Sequence, residues 1–336
     1  MTRDPVRRIA DAVLYEGYIL WPYRRSALKN QRRFTFGGVY PPAHSERHPD
    51  DSAWTQTELL LRAGETTRVQ ISIRFLQVVA RGVLARRGEL LEPVDELIAG
   101  GERHLAWDEA VQREVRLPAV GLDELRNGVR LPVAIAAGST REQLPGGAGA
   151  LIRSWDELSG QVAAQAAPAG EGVVRLSVRL SNTTPLHVGA THAHSRGEVL
   201  RRSFCSTHTL LQARAGEFVS LTDPPAALAG EAAACACVGT WPVLVGEPPD
   251  ASTILSSPII LEDYPRVAPE SPGDLFDGGE IDKLLILNIL ALTDEEKAEM
   301  AATDPRAREI LERAQSLTAE QLMALHGTLR ELGMPR

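Results

Sequence analysis

The chain has 336 residues, 43% of them hydrophobic and 24% charged, and a formal net charge of −8. These values are typical of a globular protein with one large or two ordinary domains, and the negative charge argues against a general nucleic-acid binder, whose affinity rests on neutralising phosphates. Three cysteines are too few for a disulfide scaffold, and the sequence shows neither a secretory signal nor an apolar run long enough for a membrane span, so we expect a cytoplasmic protein.

Residues 1–51 are predicted to form a helix followed by a basic, aromatic loop. Asp4 and Pro5 are typical N-cap and first-turn residues of a helix. Residues 15–40 interleave aromatic and basic side chains, which either grip an anionic partner or pack the rings on the body while the arginine stems lie over the surface. We expect seven residues of this loop to bind a partner: Trp21, Tyr23, Arg24, Arg25, Lys29, Arg32 and Arg33.

Residues 52–250 are predicted to form a β-rich body. Apolar and polar residues alternate over 69–75 and 174–181, which predicts two half-buried strands. Further strands are predicted at 111–117, 130–137 and 148–155. We therefore expect an α+β fold whose body is mostly antiparallel, as in a sandwich or a barrel.

Glycines divide the rest of this body. Residues 95–101 and 123–128 are each predicted to form a helical turn that ends at glycine, and residues 203–221 a β-hairpin that turns at Gly216. Ser206 and His208 lie in that hairpin without the Gly-x-Ser-x-Gly elbow of a serine hydrolase. No other set of residues matches a catalytic or cofactor-binding fingerprint, so the sequence favours a non-enzymatic protein.

Two groups of residues are candidate metal ligands. His187, His192 and His194 lie close together in the sequence, and three imidazole nitrogens can bind Zn or Ni. The alternative is a solvated loop, since no acidic general base is fixed nearby. Cys235 and Cys237 form a Cys-x-Cys pair with no second pair in the chain, and we interpret them as structural cysteines.

A proline-rich strap is predicted over residues 251–284, followed by an acidic helical tail over 285–336. Four prolines fix φ within 255–284, which excludes that stretch from a sheet ladder or a helix interior. Helices are expected to begin near Ile281, at the Thr293 capping box and at Thr318. We expect five strap residues to contact a partner: Tyr264, Arg266, Asp274, Phe276 and Asp277.

The two ends of the chain are electrostatically complementary. Residues 1–40 hold eight basic and three acidic residues, whereas the tail is acidic. The ends are therefore expected to contact partners or each other.

Three long segments carry a resemblance to a known family. They are LYEGYILWPYRRSALKNQRRFTFGGVYP (14–41), RSFCSTHTLLQARAGEFVSLTDPP (202–225) and LSSPIILEDYPRVAPESPGDLFDGGEIDKLLILNILALTDEEKAEMAATDPRA (255–307). The chain resembles, over nearly its whole length, a family of uncharacterised proteins associated with gene clusters of the actinobacterial, oxygen-tolerant type of nickel–iron hydrogenase. The resemblance implies an accessory or assembly role, with hydrogenase subunits or maturation factors as partners. It assigns no catalytic residue.

Two other functions remain open from the residues alone. The histidine cluster, with Cys235 and Cys237, would suit a chaperone or a metal-dependent enzyme that holds Zn or Ni. The alternating strands would suit a β-sandwich module that binds a carbohydrate or a peptide, although fold alone does not imply function.

Overall fold

The computed structural model describes residues 5–19, 23–27, 30, 33–34, 36–186, 195–266 and 282–318. Within these ranges the protein is mostly an antiparallel β-sheet with a C-terminal cluster of helices, which confirms the predicted α+β class. None of the described helices is both long and apolar enough to cross a membrane.

The strands run in chain order through the body. They are β1 (Trp54–Arg87), β2 (Leu90–Val94), β3 (Glu96–Ala99), β4 (Glu102–Leu105), β5 (Trp107–Arg116), β6 (Val120–Gly121), β7 (Val129–Ile135), β8 (Gly138–Gln143), β9 (Gly149–Trp155), β10 (Leu158–Pro168), β11 (Val173–Asn182), β12 (Cys205–Val219), β13 (Trp241–Leu244) and β14 (Thr253–Ser257).

The helices lie at both ends and between strands. They are α1 (Pro5–Leu14), α2 (Pro42–Ser45), α3 (Leu122–Asn127), α4 (Arg196–Arg201), α5 (Ala229–Ala233), α6 (Asp282–Leu290), α7 (Asp294–Thr303) and α8 (Pro305–Ser316).

Strand β1 organises the sheet because it pairs with six other strands along its 34 residues. Its first part pairs with β11, its middle with β12 and β5, and its last part with β9 and β2. The longest path through the sheet runs β13-β14-β12-β1-β11-β10-β7. The strand predicted over 69–75 is confirmed as the middle of β1, and the strand predicted over 174–181 is confirmed as β11.

The main core lies on one face of β1. Leu59 and Leu61, from before the irregularity at 63–68, share one buried cluster with Ile71 and Ile73, from after it. Strands β10, β11 and β12 and helix α3 supply much of the rest of this cluster. The sheet therefore folds over its own apolar face, as sandwich-like and barrel-like sheets do.

A second core lies where the N-terminal segment meets the tail helices. Tyr18, Tyr23 and Phe34 are buried there with Ile289 of α6 and Ile310 of α8. Leu76 and Val78 of β1 and Leu200 of α4 also belong to this cluster. The tail thus packs on the body.

Two turn predictions were wrong. Residues 95–101 form the hairpin β3–β4 instead of a helical turn, because Gly100 and Gly101 take positive φ values of 62° and 83° in succession, which a tight hairpin turn requires. Residues 205–219 form the single strand β12 instead of a hairpin. The extra residues lie in β1, between Ala63 and Arg68, so β12 passes the irregularity at Gly216 without turning.

The predicted exclusion of the strap from a ladder was wrong at its first residues. Thr253–Ser257 is strand β14, which pairs with β12 on one side and β13 on the other. The first proline of the strap is Pro258, so the residues before it keep the N–H groups that a ladder needs.

Helix α7 begins at the expected capping box, in which the Thr293 hydroxyl accepts from the Glu296 N–H. Helix α8 lies within the predicted helical tail, although its start after Asp304 was not predicted, and the helix expected to begin at Thr318 would extend beyond the described residues.

Candidate functional site

The three segments that carry the resemblance meet in space. Val39 and Phe204 exchange two backbone hydrogen bonds of 2.8 and 3.1 Å, which join the first segment to the second. Strands β12 and β14 join the second to the third. The Tyr18 hydroxyl donates to Oδ2 of Asp304 over 2.6 Å, which joins the first to the third.

Tyr18 and Asp304 form the centre of a buried polar network. The Tyr18 hydroxyl also accepts from the N–H of Ala110 in β5 over 2.9 Å. Asp304 caps helix α8, since its Oδ1 accepts from the Arg306 N–H over 2.8 Å. Burial raises the pKa of both Tyr18 and Asp304, while their shared hydrogen bond favours the ionised carboxylate. One hydroxyl thus ties the N-terminal segment, the sheet and the tail together.

Arg81 also links the sheet to the tail through hydrogen bonds. It is 7% exposed, and its Nη1 donates to Oε1 of Glu109 over 2.8 Å. Its Nη2 donates to the carbonyls of Ala302 and Thr303 at the end of α7, over 3.0 and 2.8 Å. A cation bound to the last carbonyls of a helix is favourable, because that end carries partial negative charge.

Several predicted partner-binding residues of the N-terminal loop contact the tail of the same chain. Nη1 of Arg24 lies 2.8 Å from Oε1 of Glu296. The Arg25 N–H donates to the Thr303 hydroxyl over 3.3 Å, and its Nη1 to the Asp95 carbonyl over 3.3 Å. Tyr23 is fully buried.

The two predicted strap residues that the structure describes differ in their contacts. The Tyr264 N–H donates to the Leu244 carbonyl over 2.7 Å, which holds the strap against β13. The Arg266 side chain is 74% exposed, with its Nη2 3.8 Å from Oε2 of Glu247. Six other predicted residues lie outside the described ranges: Trp21, Lys29, Arg32, Asp274, Phe276 and Asp277.

Arg33, the remaining predicted residue, lines a cavity of about 460 Å³ between the N-terminal segment, β1, β5 and α4. Arg33 is 6% exposed, its Cζ lies 3.6 Å from the centre of the Trp107 ring, and its Nη2 donates to the Asp108 carbonyl over 2.6 Å. Burial lowers the pKa of this guanidinium. We call this cavity the Arg33 pocket.

Two buried N–H groups of the pocket have no hydrogen-bond partner among the residues that the structure describes: Arg33 Nη1 and Trp107 Nε1. We call them the open donors. Buried polar groups in proteins are nearly always paired, so each open donor needs an explanation.

The elements around the pocket explain its shape. Trp107 and Asp108 begin β5, directly after the β3–β4 hairpin. Ser195 caps α4 by accepting from the Glu198 N–H, which fixes Arg196 and Gly197 at the pocket edge. Arg196 Nη2 donates to the Arg33 carbonyl over 3.2 Å.

The predicted histidine site lies outside the described residues, at 187–194. Among the residues that are described, no group of three or more His, Cys, Asp or Glu side chains is arranged to hold a metal ion. Cys235 and Cys237 are half-buried, and their thiols donate to the Glu231 and Glu58 carbonyls over 3.5 and 3.3 Å. Burial raises the pKa of Cys235 to about 11, so its thiol is protonated at neutral pH.

Ser206 and His208 do not form a nucleophile–base pair in the structure. Nδ1 of the fully buried His208 lies 2.7 Å from the Ser206 carbonyl oxygen, so the contact is with the backbone. Burial lowers the pKa of His208 to about 4, and this imidazole is neutral at physiological pH.

Sequence reasoning missed Trp107, Arg81 and Asp304. A signal existed for Arg81, a single charge within the apolar run from Val78 to Leu84, which is typical of a buried ion pair. Trp107 gave no such signal, because its contact with Arg33 depends on topology.

In comparisons with known proteins, no family model matches the chain and no curated protein is significantly similar to it.

Proposed function

We propose that the protein is an accessory factor in the assembly of a nickel–iron hydrogenase, and that it acts by binding hydrogenase subunits or maturation factors. One observation carries the proposal: the three segments that resemble the hydrogenase-associated family, far apart in the sequence, form one contiguous unit. A function that the members of a family share is expected to depend on residues that lie together in the folded chain.

The unit, together with the neighbouring Trp241 of β13, presents an exposed apolar surface suited to a protein partner. Ile260, Trp241 and Phe36 are 73, 44 and 43% exposed. They flank Pro258, since Trp241 pairs with Ser257 across β13 and β14, and Gly37 packs so closely that an added Cβ would lie 2.6 Å from Pro258 Cγ. Exposed aromatic and aliphatic side chains of this kind are typical of interface centres. We call these residues the Pro258 surface.

The proposal includes a cytoplasmic location, which fits the three cysteines, all of them free thiols.

The proposal also assigns a role to the contacts that Arg24 and Arg25 make within the chain. By fixing the N-terminal segment on the tail, they hold the Pro258 surface in one shape, and a preorganised surface loses less entropy on binding.

Gene deletion tests the proposal. In a host that carries the hydrogenase gene cluster, deletion should lower hydrogenase maturation and activity, and the wild-type gene should restore both. Restoration with Ile260→Glu should be weaker, because a charge at the centre of an apolar contact is unfavourable. Ile98→Glu is the matched control, since Ile98 is 70% exposed on the β3–β4 hairpin. Unchanged maturation after deletion would reject the proposal.

A further inference from the structure

The Arg33 pocket has the features of a built site for a small ligand. Its volume of about 460 Å³ lies within the range of small-molecule sites, roughly 300 to 1,000 Å³, and is too small for a folded partner. Both open donors belong to side chains that line it. An oxygen-bearing ligand would supply the acceptors that they lack.

The charges around the pocket favour an anion. Asp108 lies 3.7 Å from Arg201, and Glu109 accepts from Arg81. Among the described residues, neither Arg33 nor Arg196 has an acidic partner within 4.0 Å, although Asp108 and Asp304 lie near enough to raise the pKa of Arg33. The pocket lining holds three arginines and one aspartate, so its net charge is positive. A planar guanidinium is suited to binding a carboxylate or a phosphate through paired hydrogen bonds.

The walls favour an apolar group on the same ligand. Phe34, Val78 and Leu200 line the cavity together with the Trp107 ring. All three belong to the second core, so their positions are fixed by packing. Ligand sites of proteins typically combine such walls with a few convergent polar groups.

We propose that the Arg33 pocket binds a small organic oxyanion, a carboxylate or phosphate carried on an apolar body, with Arg33 and Trp107 donating to the anionic group. Both open donors are sealed from water in the structure, so binding requires the stacked Arg33 and Trp107 side chains to move and expose them to the cavity. This proposal is independent of the hydrogenase role, because it concerns the isolated chain.

Calorimetric titration of the purified full-length protein tests it. Benzoate and phenyl phosphate present the two anionic groups on the same ring, inorganic phosphate lacks the ring, and benzyl alcohol lacks the charge. We expect benzoate or phenyl phosphate to bind with a dissociation constant below about 1 mM, and inorganic phosphate and benzyl alcohol to bind at least about tenfold more weakly. The stronger of the two aromatic probes identifies the preferred anion.

Two variants link binding to the open donors. Trp107→Phe keeps the ring under Arg33 and removes one N–H, so it should weaken binding about tenfold, as expected for a hydrogen bond to a charged group. Arg33→Met should weaken it about a hundredfold. Arg179→Met is the matched control, because the Arg179 Cζ likewise lies over a tryptophan ring, 4.0 Å from the centre of Trp54, but in β11 and outside the pocket.

Two results of these measurements would contradict the proposal. If Arg33→Met does not fold, as judged by circular dichroism, Trp107→Phe decides the question. Absence of binding by both aromatic probes up to about 10 mM would overturn the proposal, as would wild-type affinity in Trp107→Phe. Neither result would affect the hydrogenase role, which is tested in cells.

Discussion

Replacing Tyr18 by phenylalanine removes the one hydroxyl that joins the N-terminal segment, the sheet and the tail. The ring is 1% exposed and packs in the second core, so Tyr18→Phe leaves the apolar packing in place. It deletes the hydrogen bond to Asp304, and it leaves the Ala110 N–H without its acceptor.

The two losses can be estimated separately. A hydrogen bond to a charged group contributes about 1.5 to 3 kcal/mol, and a buried N–H left without a partner costs about 1 to 3 kcal/mol. The sum predicts that Tyr18→Phe lowers the free energy of unfolding by about 2.5 to 6 kcal/mol.

Urea unfolding followed by circular dichroism measures this change. Tyr264→Phe is the matched control, because Tyr264 is held through its backbone N–H and its variant should change the free energy of unfolding by less than about 0.5 kcal/mol. A double-mutant cycle with Asp304→Asn should give a coupling energy above about 1 kcal/mol. A loss below about 1 kcal/mol in Tyr18→Phe would refute the view that this hydroxyl ties the three parts together.

The remaining predictions concern the sheet. Since burial lowers the pKa of His208 from 6.5 to about 4, the unfolded state binds the extra proton between those values, and stability is full above pH 6.5 and falls as the pH decreases toward 4. Between about pH 7 and about pH 4.5 the wild type should therefore lose about 2 kcal/mol more than His208→Asn, and equal losses in urea unfolding would contradict this. Gly149→Ala should destabilise the fold by about 2 to 4 kcal/mol, because its Cβ would lie 1.9 Å from the Leu84 carbonyl oxygen. Gly64→Ala, with open space around it, should be close to neutral, and similar melting temperatures for the two would reject the steric argument.

The sequence was sufficient where the physical signal is local. Alternation over 69–75 predicts a strand, and a Thr-x-x-Glu pattern predicts the start of α7, because each depends only on neighbouring residues. Nothing local shows that β1 continues for 34 residues, because its partner strands lie far along the chain. Leu60, for example, pairs with Val219 of β12, which is 219 − 60 = 159 residues further on.

The candidate site was only half predictable for the same reason. Arg33 stands out as a basic residue among aromatics, whereas Trp107 and Arg196 become its neighbours only when β5 and α4 are placed beside the N-terminal segment. The complementary charge of the two ends predicted that they would meet partners or each other. The structure pairs Arg24 with Glu296 within the chain.

The most direct test of the hydrogenase role is an affinity pull-down of the full-length chain from a host that expresses the whole hydrogenase gene cluster, with metal measured in the same eluate. We predict that the hydrogenase large subunit or its maturation factors co-purify with the wild type and with Ile98→Glu, and that Ile260→Glu recovers less of them. A chain that emerges alone, carrying one nickel or zinc ion, would contradict a role in protein binding and would favour the metal-binding function instead.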